Sequence, residues 1–93
     1  MSYGVSMNAI RDGWNTQLAS DIQRDGMGLE LLSPEGKVVA EVFRSDAEHT
    51  VTVAIFGAAI PAQVFDEYYR QALDSLDPFE DGTTFKGAGL PVA

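Results

Sequence analysis

The stretch MGLELLSPEGKVVAEVFRSDAEHTVTVAIF, residues 27–56, decides the fold because it contains three apolar segments separated by two short polar loops. Val, Leu, Ile, Phe and Thr are frequent in these segments, as is typical of β-strands; the predicted strands are Met27–Leu32, Lys37–Arg44 and His49–Phe56. In the first loop, residues 33–36, a proline presets the backbone for a turn, and a glycine can adopt the left-handed conformation that closes it. The second loop covers residues 45–48. We therefore predict a three-stranded antiparallel meander.

The strand register follows from the loop lengths. Four-residue loops place Leu31 opposite Val38 in the first hairpin and Val42 opposite Val51 in the second. This register brings apolar side chains to one face, namely Leu29, Leu31, Val38, Ala40, Val42, Val51, Val53 and Ile55. Because a slip of one residue exchanges the two faces of a strand, the agreement of both hairpins on one apolar face favours this register. The other face mixes polar and apolar residues.

Two helices are predicted to flank the strands. Residues Met7, Ile10, Trp14, Leu18 and Ile22 recur at spacings of three or four, which is the pattern of one helical stripe, and they predict a helix from Ser6 to Arg24. Pro61 suits the first position of a second helix, which we expect to end at Leu76 because Asp77 precedes a proline.

These elements predict an α+β fold in the order α-β-β-β-α, a three-stranded antiparallel meander with two helices packed on one face. In the alternative arrangement each helix covers one face, but this would bury Glu30 and Glu41 without an evident partner. We expect residues 1–86 to form a single α+β domain and residues 87–93 to form a flexible C-terminal tail.

The charge is strongly negative. The chain carries 14 acidic and 6 basic residues, for a formal net charge of −8. Binding to nucleic acid draws its affinity from Lys and Arg on phosphates, so we expect no direct nucleic-acid binding. A partner with a basic surface is compatible with this charge.

The composition also bears on the cellular compartment. No run approaches the roughly 18 apolar residues of a membrane span, and the N-terminus lacks the pattern of a secretory signal. We therefore expect a cytoplasmic protein without membrane contact. The absence of cysteine excludes disulfides and thiolate chemistry.

Candidate catalytic and metal-binding residues are few. Glu30, Glu41 and His49 are the only group that suggests acid–base chemistry, and the sequence gives them no pocket. An EF-hand calcium loop that begins at Asp77 would place Phe79 at its third position, where an oxygen ligand is required. We therefore predict no enzymatic activity, no cofactor and no metal site.

The leading hypothesis is a non-enzymatic acidic protein-binding module. It would act as an inhibitor of the immunity, antitoxin or phage counter-defence type by blocking a basic, nucleic-acid-binding surface of a partner. The predicted contact residues lie on the second helix and the turn after it, and are Asp66, Glu67, Asp74, Asp77, Glu80 and Asp81.

Two alternatives remain open from the sequence. In the first, the chain is a small homodimer of unknown role that associates through an exposed sheet face formed by Val39, Glu41, Phe43, Thr52 and Phe56. In the second, a small ligand or a reaction uses Glu30, Glu41 and His49.

Overall fold

The computed structural model describes residues 7–85 of the chain, which form one antiparallel sheet and one helix. The elements, in chain order, are β1 Met7–Arg11, β2 Trp14–Asp21, β3 Gly26–Leu32, β4 Val38–Ser45, β5 Thr50–Ile55 and α1 Ala62–Leu76. Each strand pairs with the next along the chain, so the five strands form a meander with β1 and β5 at its edges. The predicted tail, residues 87–93, lies outside the described residues.

The predicted fold class, α-β-β-β-α with three strands and two helices, is wrong, because the predicted helix Ser6–Arg24 is a hairpin in its described part. Asp12 and Gly13 connect β1 to β2 with φ angles of 52° and 87°, and Arg11 pairs with Trp14. Two positive φ angles define the type I′ turn, which matches the natural twist of a hairpin and is favoured by Asp-Gly. Residues 7–85 therefore form five strands followed by a single helix.

The misleading helical pattern has a simple geometric origin. Residues four apart share a face both in a helix and in a strand, so the spacing of Trp14 and Leu18 does not separate the two structures. Both side chains pack against the core from β2. Ile22, the last residue of the supposed stripe, lies in the β2–β3 loop and is 93% exposed.

The three predicted strands exist, but their register differs from the prediction by two residues. Leu31 faces Ala40, and Val42 faces Val53. The first hairpin has a five-residue loop and an irregularity after Leu31, and the second loop begins one residue later than expected, because Ser45 pairs with Thr50. A shift of two residues preserves the faces, so Leu29, Leu31, Ala40 and Val42 still lie together in the core. The prediction is wrong for Val38, which is 37% exposed beyond the irregularity, while Val39 lies in the core.

Helix α1 covers the apolar face of the sheet. Its buried residues recur every four positions and are Val64, Tyr68, Ala72 and Leu76. The Tyr68 hydroxyl donates a hydrogen bond of 2.5 Å to the carbonyl oxygen of Leu29 on the central strand. The helix contacts β1, β3 and β4, and the segment after it adds Phe79 and Phe85 to the same core.

Helix α1 does not cover the second half of β5. Val51 is 3% exposed, whereas Val53 and Ile55 on the same face are 44% and 54% exposed. No helix in residues 7–85 has the length and apolar character required to cross a membrane.

Candidate protein-binding surfaces

The acidic residues predicted on the helix are divided among local contacts. Asp66 binds Arg70 one turn later on the exposed side of α1. Glu67 accepts hydrogen bonds from the guanidinium of Arg11 on β1, so it links the helix to the sheet edge. Asp74 is exposed near the helix C-terminus.

Asp77 stabilises the turn that follows the helix. Its carboxylate accepts a hydrogen bond of 2.8 Å from the Thr84 hydroxyl and one of 2.9 Å from the Phe85 amide. Asp77 is therefore a structural residue of the turn.

Glu80 and Asp81 instead join carboxylates from two other loops. The β2–β3 loop, the β4–β5 loop and the turn after α1 meet at one end of the sheet because alternate connections of a meander lie at the same end. We call this surface the acidic end, and it comprises Asp25, Asp46, Glu48, Glu80 and Asp81. Carboxylate oxygens of Asp25, Asp46 and Glu80 lie within 4.8 Å of one another, beside a cleft of about 260 Å³.

Asp46 is a carboxylate of the acidic end with a buried side chain. Its side chain is 6% exposed, and it accepts one hydrogen bond from Arg44 at 3.0 Å and one from the Glu80 amide at 2.8 Å. Since both carboxylate oxygens are engaged, Asp46 fixes the turn after α1 to the sheet. The outward-facing charge at this end comes from Asp25, Glu48 and Glu80, which are exposed.

His49 contributes to the acidic end as well. Its ring stacks on Phe79 with centroids 3.8 Å apart, and its Nε2 lies 3.2 Å from an Asp81 carboxylate oxygen. Hydrogen bonds from Thr83, with a smaller contribution from His49, lower the pKa of Asp81. Asp81 is therefore ionised at neutral pH.

The sheet face opposite the helix was predicted to be open for self-association, and Arg24 covers part of it. The Arg24 guanidinium lies 3.9 Å from the centre of the Phe43 ring and donates hydrogen bonds to Glu41 at 3.0 and 3.1 Å. Phe43 is only 6% exposed as a result. Val39, another residue of the predicted patch, is 6% exposed and belongs to the core.

Two residues of that predicted patch remain accessible. Thr52 is half-buried, and Phe56 is 51% exposed. Phe56 belongs to a different surface, the end of β5, which is the last strand of the sheet.

The structure does not bring Glu30, Glu41 and His49 together. Glu30 and Glu41 face each other across β3 and β4, and each has its own partner, Gln17 for Glu30 and Arg24 for Glu41. His49 contacts Asp81 and Phe79 at the acidic end.

The second candidate surface is the exposed part of β5, which we call the open edge and define as Val53, Ala54, Ile55 and Phe56. All four residues are exposed and apolar. Consecutive exposed apolar residues are unusual in a folded domain unless they have a function. The open edge adjoins a groove of about 430 Å³ whose lining includes Trp14, Pro34, Val38, Phe56 and Ala58.

Neither surface was predictable from local patterns alone. The acidic end combines three loops that are distant in sequence, and a signal for it existed only in the meander topology. Comparison of the chain with protein-family models, with curated proteins and with solved structures gave no match.

Proposed function

We propose that this protein is a non-enzymatic, acidic protein-binding module whose acidic end covers a Lys/Arg-rich surface of a partner protein. The observation that supports this proposal is the placement of the cations. All four arginines are held by acceptors within the chain, as follows: Arg11 by Glu67, Arg24 by Asp21 and Glu41, Arg44 by Asp46, and Arg70 by Asp66.

In the described residues, the one arginine in the loops of the acidic end, Arg24, is bound by Asp21 and Glu41 rather than by the exposed carboxylates of that end. Among the described residues, no arginine or lysine binds the side chains of Asp25, Glu48 or Glu80. The C-terminus of α1 points to the same end of the sheet, and Arg44 binds its last carbonyl group there. A basic protein surface supplies the missing cations, and such complementarity accelerates association.

The partner that fits this surface best is a protein that binds nucleic acid through a basic groove. The module would act as an inhibitor by occupying that groove, as carboxylates then take the place of phosphates. Arg70, which would oppose such binding, lies in the middle of α1, is paired with Asp66, and does not belong to the acidic end.

A binding role also agrees with the hydrogen bonds that the carboxylates of the sheet already make. The carboxylates that acid–base chemistry would use, Glu30 and Glu41, are engaged by Gln17 and Arg24. We therefore propose a binding function in preference to a catalytic one.

Charge reversal at matched positions tests the proposal. Glu80→Lys alters the acidic end, and Glu35→Lys alters an exposed turn residue at the opposite end of the sheet, with the same change in net charge. Each variant and the wild-type chain serve as bait in a lysate of the native host, and the retained proteins are identified by mass spectrometry at low and high salt.

The proposal expects basic proteins to be retained by the wild-type and Glu35→Lys baits, lost from the Glu80→Lys bait, and released by roughly 0.5 M salt through screening. Equal retention by all three baits would overturn the proposal, and so would equal loss from both variants. Glu48→Lys provides an independent second variant at the acidic end.

A further inference from the structure

Within residues 7–85, the open edge presents backbone groups that pair with no strand, at defined positions. The Phe56 amide donates a hydrogen bond of 2.9 Å to the carbonyl oxygen of Val39, which continues the β4–β5 ladder. In an antiparallel ladder, alternate residues point their amide and carbonyl groups toward the neighbouring strand. Ala54 and Phe56 therefore point inward to β4, whereas Val53 and Ile55 point outward. Among residues 7–85, no strand pairs with this outward side.

The strand also lacks the features that protect exposed edges. Residues 50–56, TVTVAIF, contain no charged residue and no proline. Natural edge strands are usually blocked by charges, prolines or bulges because an open edge recruits other strands. The chain carries 14 acidic residues, and none of them lies in this segment.

We propose that two copies of this chain pair antiparallel through β5, about a two-fold axis at Ala54, and form one continuous ten-stranded sheet. In this arrangement Val53 of each copy lies opposite Ile55 of the other, and their outward backbone groups exchange hydrogen bonds. Phe56 of each copy lies opposite Thr52 of the other on the second face. The dimer thereby covers all four residues of the open edge.

Burial along β5 determines this register. Self-pairing centred on Val53 would require the outward groups of Val51, but Val51 is 3% exposed and is part of the core. Pairing centred on Ala54 uses only exposed residues. Ala54 then meets its counterpart in a non-hydrogen-bonded pair, where Cα atoms approach to about 4.5 Å and a small side chain is favourable.

Charge placement allows the two acidic chains to associate. In the antiparallel dimer the acidic ends lie on opposite sides of the axis, because β5 begins at the acidic end in each copy. Five or six residues separate Ala54 from each acidic end, so the two ends are about 35 Å apart at about 3.3 Å per residue. This separation exceeds the roughly 8 Å over which exposed charges interact at physiological salt.

The paired segments are short, so the interface is smaller than the roughly 1,200 Å² of a standard stable complex. We expect a dimer that dissociates in the micromolar range or above. A dimer of this kind presents two acidic ends, but its formation does not depend on the proposed basic partner.

Substitution of Ala54 provides the test, because the side chain is exposed and lies on the axis. Ala54→Lys and Ala54→Glu each place two like charges face to face, which weakens the dimer by roughly tenfold or more. An equimolar mixture of the two variants places opposite charges face to face, and the dimer returns. Ile22→Lys, at a position of the β2–β3 loop that is 93% exposed and lies outside the open edge, is the matched control and leaves the dimer unchanged.

Sedimentation equilibrium from micromolar to millimolar concentration measures the mass, which is expected to rise toward twice the 10.0 kDa of the chain. Because the chain has no cysteine, Ala54→Cys supplies a second measurement: mild oxidation joins two copies rapidly, whereas Ile22→Cys remains monomeric. A wild-type chain that stays monomeric at millimolar concentration would overturn the proposal. Failure of the charged mixture to associate more strongly than either variant alone would overturn the register.

These results are independent of the capture experiment. A monomeric chain that still retains basic proteins through Glu80 would overturn the dimer and leave the proposed function intact. A dimer that retains no basic protein would have the opposite consequence.

Discussion

Arg44 on β4 donates a hydrogen bond of 2.8 Å from Nη1 to the carbonyl oxygen of Leu76, the last residue of α1. The final carbonyl groups of a helix lack partners within the helix, and α1 has no basic residue in its last turn. A cation from the sheet thus satisfies the helix C-terminus. The same guanidinium binds Asp46 and the Pro78 carbonyl, so it joins the helix, the sheet and the acidic end.

We expect Arg44→Met to lower the free energy of unfolding by about 2–4 kcal/mol, because it leaves Asp46 and the Leu76 carbonyl buried without their donor. Urea denaturation followed by circular dichroism measures the change. Arg44→Lys should cost about half as much, since one ammonium cannot reach all three acceptors. Arg70→Ala, which removes an exposed pair, is the control and should leave stability unchanged within error. Equal effects of Arg44→Met and Arg70→Ala would contradict the capping role.

Tyr68→Phe tests the hydrogen bond between the helix and the central strand. The substitution keeps the buried ring and removes the hydroxyl that donates to Leu29. We expect a loss of about 1 kcal/mol, the typical net value of a buried neutral hydrogen bond. Thermal and urea unfolding both measure it, with Tyr69→Phe as the control because Tyr69 is only partly buried. A neutral result for Tyr68→Phe would indicate that the hydroxyl is not bonded in solution.

Stability should also depend on Tyr68 at alkaline pH. Burial raises the pKa of Tyr68, so the folded state retains this proton more strongly than the unfolded state does. The resulting stabilisation is fully present below about pH 10, the ordinary pKa of tyrosine, and is lost as the pH rises further toward the folded-state value. The free energy of unfolding should therefore fall more steeply above pH 10 in the wild-type chain than in Tyr68→Phe. Parallel curves for the two proteins would contradict this assignment.

Two glycines of β3 lie beneath the side chains of β4 and should respond differently to alanine. A methyl group on Gly26 would overlap the Arg44 carbonyl oxygen, which cannot move without displacing the strand. On Gly28 it would lie 2.6 Å from the Glu41 carboxylate, which can rotate away and release Arg24. We expect Gly26→Ala to cost about 3 kcal/mol or more and Gly28→Ala about 1–2 kcal/mol. Urea denaturation of both variants shows which substitution lowers the free energy of unfolding more. A larger loss for Gly28→Ala would contradict this packing.

The sequence was informative where one periodicity was unambiguous. The alternation in residues 27–56 predicted three strands and the shared face of Leu29, Leu31, Ala40 and Val42, which are all buried in one cluster. It did not predict β1 and β2, because a spacing of four residues fits both a helix and a strand. Asp12-Gly13 was the available signal for a hairpin at that position.

The binding surfaces were harder to predict because they depend on which elements meet in space. The predicted patch around Phe43 followed from the alternation, but Arg24, which was predicted as the last residue of a helix, reaches this patch from the β2–β3 loop. The predicted meander already made β5 an edge strand, but the sequence did not show which of its residues a helix would cover. Only the single helix and its position over β1, β3 and β4 leave the end of β5 exposed.

The dimer depends on the open edge, and so does the presentation of two acidic ends to a partner. Amide hydrogen exchange measured by NMR at low and high protein concentration tests it at single residues. The outward amides of Val53 and Ile55 should exchange rapidly in dilute protein and slow by roughly tenfold or more as the dimer forms, while the inward amide of Ala54 stays protected throughout. Protection of Val53 and Ile55 that is already complete in dilute protein, or that never develops at millimolar concentration, would contradict the assignment of this edge.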